Sequence, residues 1–553
     1  MSPKQTFRPE ILYTIRQYSK EKFLKDLTAG IIVGIVALPL AIAFGIASGV
    51  TPEKGLLTAI IAGFIISLLG GSKVQIGGPT GAFIVIVAGV VSQYGITGLL
   101  IATILAGVLL IVMGLLRLGD VIKFIPYPVV VGFTAGIAVV IFSTQIKDFL
   151  GLTMQNVPSD FIEKWMAYFK NFASTNFWAL GIAGFTVLFS LLWGKWVKLI
   201  PGTLLAIIIT TVMVYFFNIP VETIGSKFGE ISTSLPTPEI PVIDFAVFRQ
   251  LLPVAFTIAM LGAIESLLSA MVADGAISAK HNSNTELIAQ GIANVITPIF
   301  GGIPATGAIA RTMTNIKNGG RTPVAGLIHA VVLLLILILL GDLAKLIPMS
   351  CLAGILVIVA YNMSGWRSVI AVCKTGKSEM AVLLTTFLLT VIFDLTIAIE
   401  IGLILALFLF VRRVAASTGI RKVDGNIAAS ENEREVFNDE TLHIPAGVDV
   451  YEIEGPFFFG IANKFDEIDN VVKQKPKIRV IRMRKVNFMD STGIHNLESF
   501  VLKNKKQGIK IVLSGVNEEV LNSICHSNLL NTIGKENILP NIQAAMERVD
   551  ILL

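Results

Sequence analysis

The chain has 553 residues, of which 54% are hydrophobic and only 15% charged, with a mean hydropathy of +0.76. Soluble domains run at roughly 45–50% and about 25%, so an enzyme that is water-soluble throughout is excluded. The formal charge of +6 and the pI near 9.0 do not describe a nucleic-acid binder, because the Lys and Arg residues gather beside apolar segments instead of forming one basic face.

Residues 1–26 form a polar head carrying Lys4, Arg8, Arg16, Lys20, Lys22 and Lys25. The uncharged run over 27–52 is too long for a signal peptide and long enough to span a bilayer, so it is expected to stay attached with the head in the cytoplasm. Pro39 either kinks or unwinds this run, which brings Leu40 and Phe44 toward a central cavity, or merely bends it. Further stretches almost free of charge recur to position 411, and residues 74–116 must hold more than one element. After Val411 come Arg412, Arg413, Arg421 and Lys422, so the last span also ends on a basic side. Both ends on one side require an even number of crossings.

One pattern occurs twice. Gly77-Gly78-Pro79-Thr80-Gly81-Ala82 is echoed 224 positions downstream by Gly301-Gly302-Ile303-Pro304-Ala305-Thr306-Gly307-Ala308. Each is a Gly/Pro break followed by a small-residue helix start. Paired broken segments in corresponding places of two halves point to the binding site of a repeat-built transporter. Two inverted halves each need an odd number of spans, so seven plus seven, fourteen in all, is the expected count. A half-helix that begins near the midplane leaves its first N–H groups unpaired and carries about half a positive charge there, which suits an anion.

Between the two breaks, Glu265 stands alone in an apolar stretch. Such a carboxylate is costly and faces a cavity or a partner. As a coupling residue it repels an anion when ionised and stops doing so once it holds a proton or cation. The plainer alternatives are a pair with Arg311 or a hydrogen bond to Ser269. Arg311 lies five residues after Thr306, roughly 7.5 Å along a helix. It either adds a formal charge to the pocket or snorkels to an interface. Asp394 and Glu400 mark a turn or contact the tail. Cys351, Cys373 and Cys525 are odd in number and scattered, which supports neither a disulfide framework nor a metal cluster. No hydrolytic triad, P-loop or dinucleotide fingerprint occurs in a fitting context, so neither an enzyme nor a cofactor is expected.

Beyond a linker over 414–440, the tail 441–553 changes pattern. Strands are predicted over 448–453, 478–483 and 509–514, with a helix over 493–506 before Gly508, a parallel βαβ arrangement. Asp490-Ser491-Thr492-Gly493 opens that helix, and capping alone explains it.

These residues resemble a known family. The segments 49–56, 70–72 and 77–80 are similar to the sulfate permease family of anion transporters, as are Leu38-Pro39, Gly132-Phe133-Thr134, Gln145–Asp148 and Ala305-Thr306-Gly307 leading to Arg311-Thr312. The tail resembles that family's STAS domain. The resemblance implies an all-α polytopic membrane domain over 27–413, with fourteen spans in two inverted seven-span repeats, a core moving against a gate, and a small α/β STAS domain behind it. It also implies a homodimer. It places Thr80, Gly81, Ala82, Thr306, Gly307, Ala308 and Arg311 around the anion, with Phe44 and Glu265 beside it, and makes Ser491 a regulatory phosphorylation site. Many sulfate-carrying eukaryotic members have Gln after the Leu-Pro pair, where this chain has Leu40; bacterial members that are similar here carry bicarbonate or small dicarboxylates.

The expectation is a secondary active transporter in a bacterial inner membrane, with both termini cytoplasmic. It moves a sulfate, bicarbonate or C4-dicarboxylate-class anion by proton-coupled symport. Sodium-coupled bicarbonate transport and a passive anion channel are the alternatives. A neutral nucleobase carrier would place carboxylates where this chain has Arg311, and a binding-only scaffold would make the tail the working part.

Overall fold

The computed structural model describes residues 7–16, 18–120, 125–154, 157–158, 160–196, 202–229, 237–239, 245–393, 395–417, 419–423, 426–428, 441–458 and 475–553. Asp394 and residues 429–440 of the expected linker lie outside them. The chain divides into two compact units, residues 1–404 and 405–553.

The first unit is helical apart from one short ladder. In chain order it contains α1 (Ile11–Arg16), α2 (Lys20–Ala47), α3 (Pro52–Leu69), β1 (Gly77–Gly78), α4 (Ile84–Leu115), α5 (Tyr127–Leu150), α6 (Phe161–Lys170), α7 (Phe177–Trp196), α8 (Gly202–Phe217) and α9 (Ile224–Phe228). There follow α10 (Phe245–Ile277), α11 (Ser283–Ile296), β2 (Thr306–Gly307), α12 (Ile309–Lys317), α13 (Val324–Ala344), α14 (Met349–Ser364), α15 (Trp366–Thr375), α16 (Lys377–Ile392) and α17 (Leu395–Ser417), which runs on into the second unit. Among the described residues, six helices are long and apolar enough to cross a membrane, and shorter apolar helices cover residues 177–193, 202–217 and 324–339. Large apolar side chains such as Phe216, Phe217, Leu339 and Phe408 stand exposed. Outward apolar surface of this extent belongs against lipid.

The breaks follow the local chemistry. Helix α3 starts with Pro at its first position, where an N–H would have been orphaned. Helix α4 is two helices joined at Gly95, which takes φ 68°. Residues 74–116 thus hold a strand, a short 3-10 turn over Gly81–Phe83 and two helices. Pro39 lies inside a continuous α2, so it does not unwind that helix.

Without a hydrophobic drive between helices in lipid, close packing needs small residues at the contacts. Helix α2 meets α13 at Gly30 and Gly34, and α4 meets α11 at Gly107, Gly114 and Gly291. A Cβ on Gly107 would lie 2.7 Å from the Gly291 carbonyl oxygen.

The second unit carries a five-stranded sheet in the order β3 (Gly419–Val423), β6 (Val448–Glu454), β7 (Ile478–Lys485), β8 (Lys510–Ser514), β9 (Ile538–Leu539). All neighbours are parallel except β3 against β6. A separate ladder pairs β4 (Asn426–Ala428) with β5 (Thr441–His443). The predicted β7-helix-β8 unit is present, its helix α18 spanning Ser491–Lys506. Helices α19 (Glu518–Cys525) and α20 (Leu529–Ile533) pack with α18 on one face of the sheet, and α21 (Ile542–Leu552) covers the other. Both faces are covered, so Val480, Ile481 and Met483 are all buried. Strands β3 and β4 fall within residues 414–440, expected as linker; β3 is an edge strand whose weak pattern carries little burial.

Gly107→Leu should destabilise the membrane unit by about 1–3 kcal/mol through overpacking, lowering its melting temperature in detergent. Gly181→Ala, facing open space, should leave it unchanged.

Candidate functional site

The two Gly/Pro breaks meet. Strands β1 and β2 form an antiparallel ladder, with Gly77 opposite Gly307 and Gly78 opposite Thr306. The helices that leave it, starting at Gly81 and Ile309, therefore run in opposite directions with their N-terminal ends at the crossing. Neighbouring side chains complete the backbone of both extended segments. Asn315 donates to the Val74 carbonyl and Thr312 Oγ1 accepts from the Ile76 N–H. Asn294 makes a two-way pair with Ala305, and Thr58 Oγ1 accepts from the Ile303 N–H. In a low-dielectric interior each orphaned group would cost several kcal/mol (roughly), so this network is what allows the breaks to exist.

Helix α10 holds both halves. Ser266 Oγ lies 2.6 Å from Thr306 Oγ1 and accepts from the Gly307 N–H at 3.1 Å, while Thr306 donates to the Gly262 carbonyl at 3.3 Å. A Cβ at Gly262 would sit 3.6 Å from the Phe83 ring on the other half-helix. A Cβ at Gly307 would fall 1.6 Å from Gln75 Nε2, so no other residue fits there without displacing Gln75.

These bonds assign the predicted anion contacts unequally. The Thr306 hydroxyl and the Gly307 amide are engaged by α10, and the Ala308 N–H donates to the Ile76 carbonyl. At this end the amides that lack an acceptor within the helix are those of Ile309, Ala310 and Arg311, and Ile309 and Ala310 are exposed. On the other half, Thr80 is half-buried with a hydroxyl that has no hydrogen-bond partner among the described residues, next to buried Gly81 and Ala82. Phe44 reaches this start: a Cβ on Gly81 would lie 3.6 Å from its ring, 3.2 Å from Ile141 and 2.8 Å from the Met363 sulfur. Apolar side chains from α2, α5 and α14 thus cover the first half-helix.

Arg311 does not snorkel. It is 1% exposed, and its guanidinium crosses to the Pro79 carbonyl behind Gly78. Among the described residues its Nε and Nη1 have no hydrogen-bond partner. Glu265 is buried on α10 and forms neither a pair with Arg311 nor a bond to Ser269, which instead donates to Thr312 at 3.4 Å. Ser266, Gln75, Ile141 and Met363 escaped the sequence reading; a Ser beside an intramembrane Glu was the available signal for the first. A cavity of about 760 Å³ begins beyond the first half-helix start, at Ile84 and Val85. It opens past Ile46, Gln145 and Lys164 on the side away from the N-terminal segment. Ser491 is exposed at the first position of α18; Asp490 is the cap, accepting from the Gly493 N–H at 2.7 Å.

A sequence profile described as the Sulfate permease family matches residues 23–386, and the STAS domain profile matches 441–545. The chain belongs to the sulfate permease family. It is 43% identical over 522 residues to YvdB, a candidate sulfate transporter of Bacillus subtilis (strain 168), covering 94% of this chain and 96% of that one. It is 31% identical to the bicarbonate transporter BicA of Picosynechococcus sp., with 79% of each covered. The solved transmembrane domain of a cyanobacterial BicA aligns with TM-score 0.64 at 32% identity, over 69% of this chain and 98% of that one. The murine Slc26a9 anion transporter in the inward-facing state aligns with TM-score 0.87 over 100% and 96%, and at 18% identity it shows the fold alone. This family member is therefore an integral membrane protein with a helical transporter domain and a C-terminal STAS domain.

Ser266→Ala should release Thr306 and the Gly307 amide, destabilising the crossing by about 1–3 kcal/mol. Hydrogen exchange at Gly307 should accelerate at least tenfold (roughly), with Ser266→Thr restoring protection.

Proposed function

We propose that the protein is a secondary active transporter that carries a small anion of the sulfate, bicarbonate or C4-dicarboxylate class together with a proton, by alternating access. The observation that carries this reading is the crossing itself: two opposed half-helix starts, with free first-turn amides and a buried Arg311, offer positive potential. Thr80, Gly81 and Ala82 from one half and Thr306 to Arg311 from the other form the anion site, roofed by Phe44. Thr306, Gly307 and Ala308 act by shaping the second half-helix, and Ile309 and Ala310 supply its amides. A second reading, bicarbonate moved with sodium, draws on the kinship with BicA.

Fourteen spans in two inverted halves fit the helix order. Helices α2, α3, the two parts of α4, α5, α7 and α8 make seven, and α10 to α14 with α16 and α17 make seven more. The packing is exchanged accordingly: α2 lies on α13, as α10 lies on the second part of α4 through Gly262 and Leu110. The basic flanks put both termini in the cytoplasm, with the protein in a bacterial inner membrane as a homodimer. Glu265, buried on α10 with no hydrogen bond or ion pair among the described residues, is the coupling residue, and Ser491 is open to regulatory phosphorylation.

Uptake of labelled sulfate, bicarbonate and succinate into proteoliposomes tests the reading under imposed proton or sodium gradients. One of these anions should accumulate at least tenfold (roughly) when the proton gradient is directed with it. Glu265→Gln should abolish accumulation while leaving downhill exchange. Flux indifferent to both gradients would mean a channel, and dependence on sodium alone would favour the second reading.

A further inference from the structure

The cavity of about 760 Å³ has Ile84, Val85 and Ile86, the opening residues of α4, in its wall. The same wall includes Asp160 and Lys164, from the cap and the body of α6. Small-molecule sites are of this size, roughly 300–1,000 Å³. Helix α6 lies between the spans α5 and α7 and crosses nothing itself, so it stands at the mouth of the fold. Its own pattern orients it. Ile162, Met166 and Phe169 are exposed along one side, while Lys164 and Tyr168, one turn apart, are buried on the other. The helix thus turns its apolar side outward and offers a lysine to the cavity.

Five charged residues line this cavity, and four of them are engaged. Lys147 donates to the Met154 carbonyl at 2.9 Å. Lys227 pairs with Asp148 at 3.3 Å. Asp160 caps α6, its Oδ1 accepting from the Ile162 and Glu163 N–H groups at 2.9 and 3.1 Å. Lys164 is the fifth. It is 7% exposed, and among the described residues it forms no hydrogen bond or ion pair. Withdrawing an ammonium from water without a partner is costly, and a methionine would pack the same inward side of α6 without that cost. Burial lowers the pKa of this ammonium, and the charge of Asp160 one turn earlier works in the opposite direction.

We infer that Lys164 anchors a second anion site, an antechamber in this cavity that captures the small oxyanion or carboxylate before it moves on to the crossing. A cation without a partner on a low-dielectric wall concentrates anions at the mouth of a cleft. An arriving anion supplies the missing partner, accepting from the three donors of the ammonium. A single flexible lysine is a point charge and holds the ion loosely, whereas the opposed helix starts surround it with fixed amides. The ion can therefore leave the first site for the second. The inference rests on the anion-transport reading above and adds an entrance to it.

Two measurements on the full chain test it. In crystals soaked with selenate, anomalous scattering should show an ion bonded to Lys164 Nζ, in addition to any at the crossing, and Lys164→Gln should remove it. In proteoliposomes at about pH 7, well below the ordinary lysine pKa of about 10.4, uptake is followed for whichever of labelled sulfate, bicarbonate and succinate the wild type carries. Lys164→Gln and Lys164→Met should each slow uptake of subsaturating anion about threefold or more at roughly 10 mM ionic strength, and less at about 0.15 M, where the screening length falls from about 30 to about 8 Å. Uptake at saturating anion should be kept, and Lys164→Arg should restore the wild-type rate. Lys170→Gln removes the same charge from an exposed position on α6 and should change nothing. An empty cavity in a wild type that transports, or uptake unmoved by both neutral variants or slowed equally by Lys170→Gln, overturns the inference and leaves the crossing standing. If the wild type moves none of the three anions, the transport reading falls and takes this inference with it.

Discussion

A chain that breaks its helices at the middle of a membrane must find partners for the backbone groups it frees, since lipid offers none. Here the two breaks answer each other. Gly77–Gly78 and Thr306–Gly307 pair directly, and Thr58, Asn294, Thr312 and Asn315 complete the flanking amides and carbonyls. Neither half could keep its irregular segment without the other. This mutual dependence fixes the two half-helix starts at one place and makes them oppose.

The same network divides the crossing into a held side and an offered side. Helix α10 grips Thr306 and Gly307 through Ser266, and the Ala308 amide is bound back to Ile76. The first-turn amides of α12 and the Thr80 hydroxyl remain outside these bonds. Over the offered side lie Phe44, Ile141 and Met363, from helices α2, α5 and α14, none of which supplies one of these bonds. Movement of α5 and α14 relative to α2 and α10 would uncover the first half-helix without disturbing the ladder, which is the division of labour alternating access requires.

Much of this was legible in the residues. The repeated Gly/Pro pattern located both breaks, because few residues tolerate the backbone at Gly78, with φ +143°, or the space at Gly307. The βαβ unit of the tail followed from runs of Ile and Val that a sheet covered on both faces demands. What sequence spacing could not tell is which donors are engaged. Thr80 and Thr306 occupy equivalent places, yet one hydroxyl is unpartnered and the other bonded, because only the second faces Ser266 on α10. Arg311 could equally have pointed to an interface; the carbonyl of Pro79, 232 positions away, decides its direction. Strand β3 was hidden in a polar stretch because an edge strand needs little hydrophobic pattern.

The central claim is that the opposed helix starts hold the anion. It is tested most directly by locating a bound selenate ion, a heavier sulfate analogue, through its anomalous scattering in crystals of the full chain. The account predicts a peak placed so that the selenate oxygens accept hydrogen bonds from the amides of Gly81 or Ala82 on one side and Ile309 or Ala310 on the other. A transport-competent protein whose selenate sits elsewhere, for example in the cavity beside Lys164, with the crossing unoccupied, would contradict it.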